Sequence, residues 1–315
     1  MFYEGKKVLV TGAGGLVGTQ VAKLLLEQGA QVRGTYRNRE VPSWVGDLET
    51  MQCNFMDIED VKKAVKGMDI VLVCSANTSG ARVMAHDPLQ HITPNLIMNS
   101  TLMEESYRAG VERFFFVSSA TTYPPADYPI KEEEVFDGEP YKTYFGVGWM
   151  KRYTEILGQF YQRNEMMKIA TVRPANIYGI QGDFTDETGH VLPALIRRAL
   201  EKQTPYMVWG NPDVVRDFTH SVDMARACLD VVEHYAVCDP INIASGNLVT
   251  IGESVDLILK CAGHNVTPEY DESKPVTIQY RALDTTKAKE VIGYEPTISF
   301  EDGIQETVSW IEENM

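Results

Sequence analysis

The chain has 315 residues, 44% of them hydrophobic and 23% charged, ordinary globular values that exclude a disordered or collagen-like protein. At about 100–200 residues per domain, the length supports two domains or one large interleaved α/β unit. Against 29 Lys and Arg stand 44 Asp and Glu, and the net charge of −15 would repel a phosphate polymer, so nucleic acid is excluded as a general partner. In chain order, short β-rich apolar runs alternate with helix-length segments, and strands are predicted over residues 7–10, 31–36, 70–74, 113–117, 169–172 and 241–244. This alternation predicts an α/β fold, a Rossmann-type doubly wound parallel sheet. Between the first two strands Val17, Val21, Leu24 and Gln28 share one helical stripe, and Gly29 suits the C-terminal cap. From about Asn176 to Arg216 the texture turns loop-rich around one predicted helix, 190–202, and after Ser245 two or three helices follow with isolated strands. A sheet domain that is left and re-entered explains the order: residues 1–175 plus about 217–245 form the sheet domain, and about 176–216 plus 246–315 a smaller lobe.

After the first strand comes Thr11-Gly12-Ala13-Gly14-Gly15-Leu16-Val17-Gly18, with Gly12, Gly15 and Gly18 in GxxGxxG spacing. Glycine is needed there because the turn is tight, the backbone approaches a pyrophosphate, and the helix packs on the strand. The strand before it and the amphipathic helix after it give the context that a lone glycine pattern lacks. Gly12, Gly15, Leu16, Val17 and Gly18 are therefore candidate dinucleotide contacts. The second strand ends in Tyr36-Arg37-Asn38-Arg39 rather than in the acidic residue that reads an NAD ribose. Arg37 first, and Arg39 second, are expected to meet a 2′-phosphate, which favours NADP(H) over NAD(H); a solvated basic loop is the plain alternative. Cys53-Asn54-Phe55-Met56-Asp57 would end a further strand, third along the chain, and Asp57 is a candidate acceptor for the adenine amine. Ser118-Ser119-Ala120-Thr121-Thr122-Tyr123 follows the strand at 113–117, where parallel sheets present reacting groups, and a helix starting near Phe145 carries Lys151.

On these residues the chain resembles the extended short-chain dehydrogenase/reductase family of nucleotide-sugar enzymes, the NAD-dependent epimerase/dehydratase family, and within it most resembles the GDP-L-fucose synthases. The stations run in family order along nearly the whole chain: the glycine turn, Ala76-Asn77-Thr78-Ser79-Gly80, Ser119, Lys151, Arg173-Pro174-Ala175-Asn176-Ile177-Tyr178-Gly179, Gly189 to Arg198, Val208-Trp209-Gly210, Val215 to Asp223, and Arg281-Ala282-Leu283-Asp284. The run His190-Val191-Leu192-Pro193-Ala194-Leu195-Ile196-Arg197-Arg198 discriminates most. The resemblance implies that Ser119 meets the sugar C4 oxygen, that Lys151 holds the nicotinamide ribose and lowers the pKa of a catalytic Tyr, and that Ala76 lies beside the cofactor. It implies His190 as an acid/base for epimerisation. Asn176, Arg198, Arg216 and Arg281 match positions that meet the diphosphate or sugar, and Trp209 the base pocket. A homodimer through a helix pair that includes 143–161 also follows.

Two positions depart from the family. Its Tyr lies one helical turn before the Lys, where this chain has Val147, which has no proton to donate; Tyr144, a turn further back, is the candidate stand-in, with an ordinary structural tyrosine as the alternative. Its catalytic Cys is Thr121 here, a poor proton shuttle at neutral pH. Ala120 and Thr121 also replace the acidic pair of sugar 4,6-dehydratases, which argues against dehydration. The expected function is an NADP(H)-dependent reductase, or epimerase/reductase, of a nucleotide-activated keto-deoxy sugar, GDP-linked by resemblance, with Ser119, Lys151, His190, Thr121 and Tyr144 as catalytic candidates. Two alternatives stay open: a redox-silent nucleotide-sugar epimerase with a tightly held cofactor, and a catalytically impaired dinucleotide- or nucleotide-sugar-binding protein. Cys53, Cys74, Cys228, Cys238 and Cys261 form no CxxC pair, and His86, His91, His220, His234 and His264 show no ligand spacing, so neither disulfide framework nor metal is expected. No apolar run nears the ~18–20 residues of a membrane span and no signal-peptide core precedes the first strand, so a cytoplasmic location without membrane attachment is expected.

Overall fold

The structure, a computed structural model, describes residues 1–78, 87–185, 189–274 and 278–314. Ser79, Gly80 and His86 lie outside the described residues. The first half alternates as the sequence predicts: β1 (Lys7–Thr11), α1 (Leu16–Glu27), β2 (Gln31–Tyr36), β3 (Glu49–Gln52), α2 (Ile58–Val65), β4 (Ile70–Val73), α3 (Thr93–Arg108), β5 (Arg113–Val117), α4 (Phe145–Arg163) and β6 (Lys168–Pro174). The second half holds β7 (Asn176–Tyr178), α5 (Val191–Leu200), β8 (Tyr206–Trp209), β9 (Val215–His220), α6 (Ser221–His234) and β10 (Ile241–Ile243). It ends with β11 (Leu248–Thr250), α7 (Ile251–Cys261), β12 (Pro268–Asp271), β13 (Tyr280–Arg281), α8 (Thr286–Ile292) and α9 (Phe300–Asn314).

Seven strands form one parallel sheet in the order β10-β6-β5-β4-β1-β2-β3. The two-residue period of a strand sends Val8 and Val10 of β1 into a core with α1 and α6, and Leu9 into a second core with α2 and α3. Helices on both faces explain why every residue of β4 is buried. The strand order turns at β1 and β4, and that switch point opens a crevice at the carboxyl edge of the sheet.

The chain leaves this sheet at Pro174 and returns as β10, paired with β6. In the excursion, β9 pairs with β7, β11 and β13, and β8 pairs with β12. Residue 217, near which the return was expected, lies inside β9 of the smaller sheet, and its carboxylate ties that strand to the end of β10 by accepting hydrogen bonds from Ser245 N at 2.8 Å, Ser245 Oγ at 2.7 Å and Gly246 N at 2.9 Å. The main body resumes with α6, packed on α1. A third core joins Leu192, Leu195 and Ile196 of α5 to Val255 and Ile258 of α7 and to Ile304 and Val308 of α9. The α7 start is written in Thr250-Ile251-Gly252-Glu253: the Thr250 hydroxyl accepts from Glu253 N at 3.0 Å, and Glu253 accepts from Thr250 N at 2.7 Å.

All five cysteines are free. Among the described residues, no helix is long and apolar enough to cross a membrane, and no group of three His, Cys, Asp or Glu side chains could hold a metal ion.

Candidate active site

A cleft of about 870 Å³ runs along the carboxyl edge of the parallel sheet and is walled on its other side by α5, β8 and β9. At one end β1 delivers Gly12, whose φ of +66° favours glycine and where a Cβ would lie 2.9 Å from Ser75 Cα. Gly18 does not line the cleft; it lets α1 sit on the turn, since a Cβ there would fall 2.2 Å from Gly12 O. Gly15 begins α1 without a side-chain cap, and the first turn of α1 carries no acidic residue. Its first N–H groups are therefore left to an anion, and the aligned peptide dipoles favour one. A dinucleotide pyrophosphate fits that cradle, with Leu16 and Val17 on the wall.

The remaining cofactor candidates separate. Arg37 is exposed and lines the cleft, as does Ala76 beyond β4. The Arg39 guanidinium is engaged elsewhere: its Nη1 donates to the backbone oxygens of Gln181 at 2.6 Å and Gly182 at 3.0 Å. The third strand stops at Gln52, earlier than expected, and residues 53–56 line the cleft in its place. Asp57 is off the wall because its carboxylate turns to its own helix, where Oδ1 accepts from Glu59 N at 2.9 Å and caps α2.

At the other end, β5 and α4 bring the chemistry-bearing side chains together. Ser119 Oγ accepts hydrogen bonds from Thr121 N at 3.1 Å and from Thr121 Oγ1 at 2.9 Å. Lys151 Nζ donates to Val117 O at 2.6 Å, and burial pushes this ammonium down to about 8, against the opposing charge of Glu155. Val147, one turn earlier, lines the cleft. Tyr144 immediately precedes α4 and also lines it, its ring 5.9 Å from the Arg281 guanidinium carbon. Arg281 itself is buried off the wall: Nη1 donates to Ala120 O at 2.8 Å, and Nη2 has no hydrogen-bond partner among the described residues.

From the lobe, Asn176, Arg198, Trp209, Arg216 and His190 reach the same cleft. Asn176 Nδ2 donates to Asp217 O at 3.2 Å, Arg198 Nη1 to Met207 O at 3.0 Å, and Arg216 Nη2 to Ile278 O at 2.6 Å. Trp209 is 44% exposed, with Lys274 Nζ 5.7 Å from its ring centre. His190 stands just before α5, open to solvent entering the cleft. The protein crowded around it lowers its pKa, Asp183 opposes, and nearby His91 lowers it further.

Sequence reading missed the polar core beneath the site. Glu155 accepts from Arg173 Nε at 2.9 Å and Nη2 at 2.7 Å and from Ser118 Oγ at 2.5 Å, while Arg173 Nη1 donates to Tyr123 Oη at 2.8 Å. Tyr123 in turn donates to Asn242 of β10 at 2.6 Å. This chain of bonds fixes the end of β5 against α4, and the one signal for it was Glu155 standing one turn after Lys151 on the same face. His91, buried on the cleft wall beside His190, was also missed, because only the fold brings residues 91 and 190 together.

The family described as NAD dependent epimerase/dehydratase matches residues 8–244. The chain belongs to that family. Among relatives, the chain is 28% identical to GDP-L-fucose synthase 1 of Arabidopsis thaliana, a match that covers 99% of this chain and 95% of that protein. It is also 28% identical to dTDP-4-dehydro-6-deoxy-D-allose reductase of Streptomyces bikiniensis, over 98% of this chain and 97% of that one. The crystal structure of UDP-glucose 4-epimerase with UDP-glucose from Thermotoga maritima superposes with a TM-score of 0.86 at 26% identity, covering 98% of this chain and 99% of that one. One helical turn before Lys151 the cleft wall carries the Val147 side chain, which has no hydroxyl, and the Lys151 ammonium donates to the Val117 carbonyl.

Proposed function

We propose that the protein is an NADP(H)-dependent reductase, or epimerase/reductase, of a nucleoside-diphosphate 4-keto-6-deoxy sugar, with GDP the nucleotide. The observation that carries this reading is one cleft holding both an anion-ready glycine turn and, at its other end, the Ser119–Thr121 hydroxyl pair beside Lys151. Gly12 and Gly15 to Val17 would hold the pyrophosphate, Arg37 the 2′-phosphate, residues 53–56 the adenine, and Ala76 and Lys151 the nicotinamide half. When bound, the dinucleotide supplies the hydride for C4 of the sugar.

The remaining chemistry belongs to the chain. Because Ser119 Oγ already accepts two hydrogen bonds from Thr121, its own proton is directed to another acceptor, the sugar C4 oxygen, and the donated bonds polarise it. Thr121 acts through Ser119 as a donor. Tyr144, beside Arg281, is the proton source for the alkoxide. His190, whose lowered pKa keeps it mostly neutral at pH 7, is a base for the proton on a carbon next to the keto group. Asn176, Arg198 and Arg216 would meet the diphosphate and sugar, Arg281 would steady Ala120 O and the Tyr144 ring behind the wall, and Trp209 would stack on the base. Residues 1–175 with the β10 region serve the dinucleotide, and the two excursions serve the nucleotide sugar. We further propose a homodimer through α4, whose Phe145, Trp149, Tyr153, Ile156 and Phe160 stay exposed along one stripe of the helix.

The test is to mix the protein with NADPH and GDP-4-keto-6-deoxymannose, follow the reduced nicotinamide by absorbance, and identify the sugar by NMR. NADPH oxidation is expected, and the product's configuration beside the former keto group reports whether His190 epimerises. Silence from the native protein and activity only on installing Tyr at position 147 would move the protein to the impaired-binder reading. Silence from both would remove the proposed substrate.

A further inference from the structure

Resting on the cofactor reading above, we propose that Arg39 bolts a strap across the bound dinucleotide and sets its rate of exchange, while contributing nothing to the choice between NADP(H) and NAD(H). Two independent observations meet on this loop. The first is the crossing itself: Arg39 leaves the carboxyl end of β2 in the cofactor sheet, and its Nη1 donates to the Gln181 and Gly182 carbonyls at 2.6 and 3.0 Å, in the segment that follows β7. The second is Gly14, inside the phosphate turn. A Cβ there would lie 2.2 Å from Arg39 O and 2.7 Å from Glu40 O, so the strap's backbone is seated directly on the turn that holds the pyrophosphate.

Both ends of the crossing are anchored. On the sheet side, Gln52 Nε2 donates to Arg37 O at 2.9 Å and holds the loop to the end of β3. On the lobe side, the Phe184 ring lies 5.8 Å from Trp310 of α9, and Asp183 Oδ1 accepts from Thr185 N at 3.0 Å and Thr185 Oγ1 at 2.8 Å. A guanidinium that bridges two carbonyls between fixed anchors is a fastener. A dinucleotide seated on Gly12 to Val17 leaves only when the crossing opens, and the 2′-phosphate that distinguishes NADP(H) plays no part in that step. Arg37, exposed on the cleft two residues earlier, is the phosphate reader.

Stopped-flow displacement of pre-bound NADPH and of pre-bound NADH, followed by nicotinamide fluorescence, tests this on the native protein, Arg39→Ala and Arg37→Ala. Losing two charge-assisted hydrogen bonds at a partly exposed site should speed release roughly ten-fold, by the same factor for both dinucleotides. Arg37→Ala should weaken NADPH and leave NADH unchanged. Arg39→Gln, which keeps a neutral NH2 donor group but loses the charge, should fall between native and Ala and covers the case of an Ala variant that does not fold. Faster release of NADPH alone from the Arg39 variants would make Arg39 a phosphate reader and overturn the strap, and so would native release rates for both dinucleotides. A native protein that binds neither dinucleotide would remove the cofactor reading itself, and the strap with it, before any variant is compared.

Discussion

Installing tyrosine at position 147 asks how much of the reaction this site lacks. Val147 and Lys151 are one turn apart on α4 and both line the cleft. With a pKa of about 8, Lys151 carries its proton in roughly nine molecules of ten at pH 7. A phenol about 6 Å away, at an effective dielectric of about 20, would feel about 3 kcal/mol from that charge, enough to bring a tyrosine from about 10 to about 8. General acid assistance of this kind is worth about 10²–10⁴ in rate. Because Ser119, Thr121 and Tyr144 already offer hydroxyls, Val147→Tyr should raise turnover toward the lower bound, about a hundred-fold, in the NADPH oxidation assay at pH 7. The gain should vanish as pH rises through about 8, where Lys151 loses its proton, the phenol reverts toward its ordinary pKa and the field that tuned it is gone. A variant that binds NADPH normally yet turns over within three-fold of native, at about the precision such rates allow, would show that proton delivery was never the missing element.

Three further perturbations follow from the same geometry. Lys151→Met should stabilise the ligand-free protein by about 1–2 kcal/mol at pH 7, because the folded-state pKa lies below the unfolded one; that burial cost is full below pH 8 and disappears as pH climbs toward 10.5. Urea unfolding at pH 7 and pH 10.5 checks it, and an equal gain at both would refute the sign. Glu155→Gln leaves Arg173 buried without its counter-charge, both side chains being 4% exposed, and should lower stability by about 3–5 kcal/mol, read as a fall in Tm. The pair Glu155→Leu with Arg173→Met should recover most of that loss; no recovery would mean the ion pair is not what the single variant breaks. Ile156→Lys together with Tyr153→Lys should convert the dimer to monomer in sedimentation equilibrium, and a native protein that is already monomeric would sink the α4 interface.

The parallel sheet was legible where apolar runs alternate with helix-length segments: 113–117, with Phe114, Phe115 and Phe116 at its centre, was predicted to the residue, and so was the more polar 31–36, which follows the glycine turn and its helix. The edge strand β3 was expected to end at 53–57 and stops at Gln52: three of its four residues are exposed, while buried Cys53 and Phe55 lie just past its end and carry the apolar signal beyond it. The lobe's strands are two to six residues long, and their partners lie far along the chain, so no local period betrays them. At the site, types and spacing found the residues of the cleft wall from Gly12 to Arg216, but not what each side chain is bonded to. Asp57 caps α2 and Arg39 holds two carbonyls, and both assignments depend on where a side chain points rather than on what it is. His91 reaches His190 through a fold that joins residues a hundred apart.

The return of the chain as β10 has a consequence for synthesis. Strand β6 is complete at residue 174, yet the strand that covers its open edge ends at residue 243 of 315. A nascent chain emerging from the ribosome therefore carries a sheet with an unpaired rim while the intervening lobe segment is still being translated. Such rims recruit other strands. The protein cannot be divided after residue 174 into two halves for separate production, because the first half without residues 241–243 presents that rim permanently, and also loses Asn242, the acceptor for the Tyr123 hydroxyl beneath Ser119.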